Sequence, residues 1–253
     1  MNILTETDGD GLLVVTLNDP ARRNPVGHAM RHALLQALTA AEADDAVRAV
    51  VLTGAGGHFS SGGDIADQSE RSLSRQRDRM ATVRDLMLRM VRFSKPLAAA
   101  VEGWAVGGGL SLAMACPIVV ASGEARFVSG FNRIGLVPDM GLLATLPLRI
   151  GPARARRLLL SNRVVEADEA LATGLADELA QPGQAQALAG KLALAEAAIA
   201  PLARQFTIDW FARDVASALE YEQQIQPILL NSADAIEGRA AFHDKRQPRF
   251  QGR

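Results

Sequence analysis

Two glycine-rich stretches decide the fold of this chain: Gly57-His-Phe-Ser-Ser-Gly-Gly-Asp-Ile65 and Gly103-Trp-Ala-Val-Gly-Gly-Gly-Leu-Ser-Leu-Ala-Met114. Each follows an apolar run typical of a buried strand, at 48–54 and at 96–103. Glycine lets a ligand approach the main chain, and a helix that begins after such a loop points unpaired N–H groups outward. We therefore expect each loop to offer one N–H, and two N–H groups converging on one oxygen form an oxyanion hole.

The segments around the loops predict an α/β protein. Thr5–Leu17 predicts an antiparallel strand pair around a glycine-containing turn. A charged helix around 68–93 separates the two apolar strands, and a third strand is predicted at 118–121, so right-handed crossovers and a parallel sheet follow. Beyond residue 142 strand patterns nearly vanish, and Ala- and Leu-rich stretches predict helices at 153–160, 184–200, 215–230 and 235–245.

Capping signals predict where two helices begin. Asn24 followed by Pro25 is typical of an N-cap and a first helical residue, ahead of an apolar stripe that starts at Met30. Asp234 with Glu237 three residues later is typical of a capping box at the start of the final helix.

Composition limits the classes of function. The 253 residues are 48% apolar and 22% charged, which predicts one large globular unit, with or without an appendage. The net charge of -1 argues against binding to nucleic acid or an anionic membrane. The single cysteine, Cys116, and four histidines without ligand spacing predict neither a disulfide nor a metal site. With no signal-peptide pattern and no long apolar span, we expect a cytoplasmic protein.

The glycine-rich segments match other known glycine motifs poorly. The turn after the first apolar strand lacks the third glycine of G-x-G-x-x-G, and no G-x-x-x-x-G-K-[ST] is present, so nucleotide sites are disfavoured. Gly109-Leu-Ser-Leu-Ala113 approaches the nucleophile elbow of serine hydrolases, but alanine replaces its last glycine and the serine falls inside a predicted helix.

Four motifs follow one another along the chain: Leu17-Asn-Asp-Pro-Ala-Arg-Arg-Asn24, Phe59-Ser-Ser-Gly-Gly-Asp-Ile65, Gly107-Gly-Gly-Leu-Ser-Leu-Ala113 and Gly135-Leu-Val-Pro-Asp-Met-Gly141. In this order they resemble the crotonase superfamily, the enoyl-CoA hydratase/isomerase family of acyl-CoA enzymes, as does the ending 237–250. The resemblance implies a crotonase-like ββα spiral core, placed at 1–200, and a C-terminal helical trimerisation region, placed at 201–253. It also implies a homotrimer or a dimer of trimers.

The resemblance further implies chemistry on a CoA thioester, with no cofactor other than the coenzyme A of the substrate. By motif position, the main-chain N–H groups of Gly63 and Gly108 hold the thioester oxygen. Hydratases of this family carry two glutamates beside the acyl chain, and those places here hold Ser111 and Phe131. Asp139 instead follows a proline, in a string similar to that of enoyl-CoA isomerases and of isomerases in phenylacetyl-CoA breakdown.

This inventory favours an acyl-CoA double-bond isomerase in which Asp139 alone moves a proton between two carbons of the acyl group. Burial beside Phe131 is expected to raise the pKa of Asp139 and to exclude water. The alternatives are an enoyl-CoA hydratase with a water placed by Ser111, a non-catalytic acyl-CoA-binding paralogue, and an Asp139 that merely N-caps a helix starting near Met140.

Further substrate contacts follow from the same resemblance. Arg22 and Arg23 lie where the family carries cations near the CoA phosphates, and Phe242 and Lys245 resemble residues that reach the CoA of a neighbouring subunit. Asp64 would contact the CoA adenine or cap a helix, and Ser111 would line the pocket or satisfy a local carbonyl. The remaining predicted contacts are Ser61, Ile65, Phe131 and Pro138.

Overall fold

The computed structural model describes residues 2–65 and 72–252. Within these ranges nine strands form a six-stranded sheet, β1-β2-β3-β4-β6-β9, and a three-stranded sheet, β5-β7-β8. Their bounds in chain order are β1 Ile3–Thr7, β2 Leu12–Leu17, β3 Ala49–Gly54, β4 Leu97–Val101, β5 Trp104–Val106, β6 Ile118–Ser122, β7 Arg126–Val128, β8 Val165–Glu166 and β9 Glu178–Ala180.

The larger sheet follows the predicted order. β1 and β2 pair antiparallel around the glycine-containing turn, and every pair from β2 to β9 in this sheet is parallel. β4 is buried along its whole length, as expected for a strand that helices cover on both faces. The strands β5, β7, β8 and β9 span two or three residues each, too few to show a periodic pattern, and the sequence did not predict them as separate strands.

Nine α-helices are described in the same ranges. They are α1 His28–Ala43, α2 Leu73–Val91, α3 Gly108–Ala115, α4 Leu142–Ile150, α5 Pro152–Ser161, α6 Ala167–Thr173, α7 Ala185–Glu196, α8 Pro201–Leu230 and α9 Ala233–His243. The helix expected at 215–230 begins fourteen residues earlier, at Pro201, because proline is well suited to the first helical position. The start of the charged helix at 68–71 lies outside the described residues.

The predicted N-cap at Asn24 is wrong. α1 begins at His28 with Gly27 as its N-cap. Asn24 has a positive φ of 57° and its side-chain amide donates to the carbonyls of Ala55 (2.9 Å) and His58 (2.8 Å), while its side-chain oxygen accepts from the Asp19 N–H. The amide therefore ties together two loops instead of capping a helix.

The predicted capping box at Asp234 is also wrong. Ser232 is the N-cap of α9, and its hydroxyl accepts from the N–H of Ala235 at 3.0 Å. The Asp234 carboxylate accepts from the N–H groups of residues 251 and 252, and Glu237 forms an ion pair with Arg246. Both carboxylates thus bind the segment after α9.

Two layers of helices cover the larger sheet. α7 packs on β3, β4 and β6 through small alanines, whereas the main core lies among the remaining helices and the opposite faces of the strands. α8 packs on α2 and α4, so the region after residue 200 lies against the core. The division into 1–200 and 201–253 stays a prediction. No helix in the described part combines the length and apolar character needed to cross a membrane.

Candidate active site

The two glycine loops lie side by side. Residue Ser60 of the first loop pairs with Ala105 of β5 in a parallel bridge, and its carbonyl accepts from the Val106 N–H at 3.0 Å. Gly62 has a φ of 98°, and a Cβ there would lie 2.7 Å from the Val106 oxygen. The main chains therefore touch, and only glycine fits at position 62.

The two predicted oxyanion donors are close to each other. A Cβ built on Gly108 would lie 3.6 Å from the Gly63 nitrogen. Gly108 is the first residue of α3, after the positive-φ Gly107, so the helix leaves its N–H without an internal partner. Within the described ranges neither N–H donates a hydrogen bond. Their binding of a thioester oxygen stays a prediction, and any helix at 66–71 lies outside the described residues.

A cavity of about 220 Å³ opens beside the two loops. About 10–15 Å³ of such space holds one water molecule, so the cavity accepts a small acyl group as well as solvent. Its walls come from the glycine loops, α1, α2, the segment 128–140, the end of α8 and α9. The described residues lining it are Arg31, Ser61, Gly62, Gly63, Ile65, Gln76, Arg79, Met80, Val83, Val106, Gly107, Gly108, Val128, Gly130, Phe131, Arg133, Ile134, Leu136, Asp139, Met140, Gln226, Leu230 and Phe242.

Asp139 lies on the wall of this cavity and does not cap a helix with its side chain. α4 begins at Leu142, and its N-cap is Gly141. Met140 and Gly141 both have positive φ, 57° and 74°, so the chain makes a left-handed turn directly after the aspartate. The Oδ2 atom of Asp139 accepts from the Nε2 of Gln226 at 2.7 Å. The N-cap interpretation of the Asp139 side chain is therefore wrong.

The environment of Asp139 adjusts its proton affinity. Burial raises the pKa of Asp139 to about 6, while the Gln226 hydrogen bond and the positive charges of Arg31 and Arg79 partly offset that rise. The carboxyl is thus mostly ionised at neutral pH, and its carboxylate is a stronger base than that of an exposed aspartate. A group with a pKa near the working pH can both take up and return a proton.

Ser111 does not line the cavity, so its predicted place on the pocket wall is corrected. Its hydroxyl is buried and donates to the main-chain carbonyl of Asp139 at 2.9 Å, with the Gly107 carbonyl 3.3 Å away. The serine fell inside α3, where a hydroxyl one turn into a helix finds a carbonyl partner. It fixes the backbone that carries Asp139.

The other predicted substrate residues divide into two groups. Ser61, Ile65, Phe131 and Phe242 line the cavity. Pro138 is buried behind its wall.

The predicted charged contacts lie away from the cavity walls. Asp64 accepts from Arg22 at 2.8 Å, and Arg22 also pairs with Asp19. The adenine contact and the helix cap of Asp64 stay predictions, because any helix at 66–71 lies outside the described residues. Arg23 and Lys245 are exposed and have positive φ. The contacts of Arg22, Arg23 and Lys245 with CoA stay predictions.

Sequence reasoning missed Glu222 and Gln226 on α8. Both are buried, and they continue the stripe of Val215, Leu219 and Leu230 at spacings of three and four. Two polar side chains on the buried face of a helix are the signal that was available. Arg31 and Arg79, which line the cavity from α1 and α2, were also missed.

Glu222 lies behind the aspartate loop. Its Oε2 accepts from the Gly141 N–H at 3.0 Å. Burial and the nearby charge of Asp139 raise the pKa of Glu222 to about 8, against the lowering effect of hydrogen bonds from Gly141 and Met140. Two carboxyl groups with separated pKa values thus lie on the same side of the cavity, Asp139 on its wall and Glu222 buried behind it.

Residues 7–253 match the family model described as enoyl-CoA hydratase/isomerase. This chain belongs to the enoyl-CoA hydratase/isomerase family. A Thermus thermophilus protein with a provisional enoyl-CoA hydratase name is 38% identical over 98% of this chain and 100% of its own. The 1,2-epoxyphenylacetyl-CoA isomerase of Escherichia coli is 34% identical over 96% of each chain.

Solved structures of the enoyl-CoA hydratase/isomerase family have the same architecture. The enoyl-CoA hydratase/isomerase from Pseudoalteromonas atlantica T6c superposes with a TM-score of 0.88 and is 30% identical, and the match covers 99% of this chain and 100% of the other. The predicted α/β crotonase fold is therefore confirmed. The family acts on acyl-CoA thioesters, and membership in it supports the prediction that the chain is an enzyme.

Proposed function

We propose that this chain is an acyl-CoA double-bond isomerase. The observation that carries the proposal is that, among the described residues lining the cavity, Asp139 is the one with a carboxyl group. Adding water to a double bond usually needs two acid or base groups, whereas moving a proton along the acyl group needs one. The reaction uses no cofactor apart from the coenzyme A of its substrate.

The proposed reaction is a balanced transfer of one proton. On a 3-enoyl-CoA, the N–H groups of Gly63 and Gly108 donate to the thioester oxygen. The Asp139 carboxylate takes a proton from the α-carbon, and the C–H electron pair moves toward that oxygen to give a dienolate. The neutral acid returns the proton to the γ-carbon, which moves the double bond next to the thioester and regenerates the carboxylate.

The surroundings of Asp139 support this cycle. Its pKa of about 6 suits both the removal and the return of a proton near neutral pH. Its Oδ2 is held by Gln226, so Oδ1 is the oxygen available to the acyl group. Phe131, Met140 and Leu230 give this part of the wall an apolar character that disfavours water.

The test is Asp139→Asn with a 3-enoyl-CoA substrate in heavy water. We expect kcat to fall by about 10³-fold or more, because the asparagine oxygen accepts the Gln226 hydrogen bond but the amide cannot take up a proton from carbon and return it. Deuterium should enter the acyl group with the wild-type enzyme and not with the variant. Isomerisation by the folded variant at near wild-type rate would overturn the proposal.

Enoyl-CoA hydratase activity is the second candidate, favoured by names such as that of the Thermus relative and the 2,3-dehydroadipyl-CoA hydratase of Escherichia coli, 33% identical over 96% of each chain. Asp139 would then activate water. The buried Ser111 hydroxyl, which donates to the Asp139 carbonyl, gives no support to a water placed by that serine. Incubation with crotonyl-CoA separates the candidates, because a hydratase yields 3-hydroxyacyl-CoA, and a non-catalytic paralogue yields neither product nor deuterium uptake.

We also propose a homotrimer or a dimer of trimers, in a cytoplasmic setting. The support is an exposed apolar stripe on the first half of α8, with Leu202, Phe206 and Trp210 exposed by 75%, 73% and 63%. Such a contiguous apolar surface is typical of an interface between subunits. Light scattering should give the mass of three chains or of six chains, each of 26.9 kDa. A monomer would contradict the proposed assembly.

A further inference from the structure

α8 holds the aspartate loop through two side chains. Gln226 donates from Nε2 to Asp139 Oδ2 at 2.7 Å and to the Val137 carbonyl at 3.2 Å. One turn earlier, Glu222 accepts from the Gly141 N–H through Oε2 at 3.0 Å. The Val137 carbonyl, the Asp139 carboxylate and the Gly141 N–H are therefore all bound to the same face of α8.

Each of these two side chains also has an oxygen without a partner. Glu222 Oε1 and Gln226 Oε1 are both buried and accept no hydrogen bond from the described residues. Buried acceptors are nearly always satisfied in folded proteins. Residues four apart on a helix are neighbours on one face, so one hydrogen between these two oxygens would satisfy both.

Glu222 is able to supply that hydrogen. Burial and the charge of Asp139 raise the pKa of Glu222 to about 8, so it is a neutral acid at pH 7 while Asp139, with a pKa of about 6, is ionised. The remaining charged groups that act on this pair among the described residues are Arg31 of α1 and Arg79 of α2, and both act on Asp139.

We propose that Glu222 and Gln226 are positioning residues for Asp139, in which the neutral Glu222 acid donates from Oε1 to Gln226 Oε1 and the Gln226 amide donates to Asp139. This inference rests on the proposed role of Asp139 as the proton shuttle. The hydrogen from Glu222 selects one of the two orientations of the Gln226 amide. In the opposite orientation the amide oxygen would face the Asp139 carboxylate and repel it.

The chain of hydrogen bonds has a pH limit. Above about pH 8, Glu222 ionises, loses the hydrogen that it donates and places a second negative charge beside Asp139. Activity should therefore rise with a midpoint near 6, as Asp139 ionises, and fall again with a midpoint near 8.

Glu222→Gln tests the inference, because glutamine mimics the neutral acid: it donates through its amide nitrogen and accepts from Gly141 through its oxygen. We expect kcat at pH 7 within about threefold of wild type, an unchanged acid limb and no alkaline limb. Leucine neither donates nor accepts a hydrogen bond, so Glu222→Leu should lower kcat by about 10- to 100-fold with KM nearly unchanged. Glu220→Gln, on the exposed side of α8, is the matched control and should match wild type in both limbs.

A second measurement needs no turnover. The infrared spectrum of the unliganded protein at pH 7 should show a protonated carboxyl band that disappears in Glu222→Gln and persists in Glu220→Gln. Absence of that band, an alkaline limb that survives in Glu222→Gln, or a folded Glu222→Gln with kcat reduced more than about tenfold would each overturn the inference. If the wild type isomerises no CoA thioester, the proposed function fails, and the infrared band still decides the protonation of Glu222.

Discussion

The two sides of the cavity are built in different ways. The side that holds the glycine loops is made of main chain from two contiguous motifs, joined by the bridge between Ser60 and Ala105. The side that holds Asp139 is made of side chains that α8 brings from more than eighty residues away. A main-chain site thus depends on local conformation, whereas the acid depends on tertiary packing and on the free energy of burying charge.

This contrast predicts different effects of mutation on stability. A Cβ added at Gly108 should lower activity with little change in the free energy of unfolding. Neutralising the partly buried Asp139 should remove activity and make the fold more stable.

The largest expected effect after the loss of Asp139 itself belongs to Gly108→Ala. The new Cβ would lie 3.0 Å from the Met140 Sδ and 3.6 Å from the Gly63 nitrogen, in the space proposed for the thioester oxygen. The methionine side chain is able to shift, so we expect kcat to fall by about 10²-fold and the melting temperature to change little. Gly123→Ala is the control, because its Cβ would meet no atom within 4 Å. Equal kinetics for the two variants would contradict an oxyanion role for Gly108.

The next effect is on stability and depends on pH. The pKa of Asp139 is about 6 in the folded protein, above its ordinary value, so the folded state binds more protons than the unfolded state between about pH 4 and 6. Wild-type stability therefore decreases as pH rises through this window. Asp139→Asn should be more stable than wild type at pH 8 by about 2 kcal/mol, and the difference should vanish near pH 4.

Thermal or denaturant unfolding at the two pH values measures this difference. Asp64→Asn is a suitable control, because Asp64 is engaged with Arg22 near the surface and should show no such gain at pH 8. A variant at position 139 that is less stable than wild type at pH 8 would show that the cost of burying the charge is outweighed by the contacts that the carboxylate makes.

The smallest expected effect is that of Ser111→Ala. The substitution removes the hydroxyl that donates to the Asp139 carbonyl at 2.9 Å and leaves that carbonyl without its side-chain partner. We expect a loss of about 1 kcal/mol in stability and about a fivefold decrease in kcat. Steady-state kinetics and unfolding check both values. A decrease beyond about 10³-fold would instead assign the serine a direct role with water, as a hydratase would require.

The same contrast explains how much the sequence revealed. Both glycine loops, the antiparallel start and the parallel strands could be predicted, because each depends on residues adjacent in sequence. Asp139 was found through its place in a motif. Glu222 and Gln226 were missed because a polar residue in a helix acquires its meaning from what packs against it, here a loop that lies far away along the chain.

The two wrong N-caps have a related cause. Asn24 and Asp234 both have the side chains that helix starts prefer, but each satisfies main-chain groups of a distant segment instead. The preference of Asn and Asp for helix N-caps does not decide their position where the main chain of another segment offers several hydrogen-bond donors or acceptors at once. The charged and apolar patterns that span whole helices were more reliable, since they reflect burial along many residues.

The long sequence separation between α8 and the loop that it binds has a consequence for biosynthesis. When the ribosome has released residues 1–200, both glycine loops and Asp139 have been made, but the helix that hydrogen-bonds to the aspartate, Pro201–Leu230, has not. The nascent protein therefore has residues 137–141 before it has Glu222 and Gln226, the two side chains that bind them. The hydrogen bonds of this loop to α8 form only after the helix has emerged, so its final geometry is set later in synthesis than that of the glycine loops.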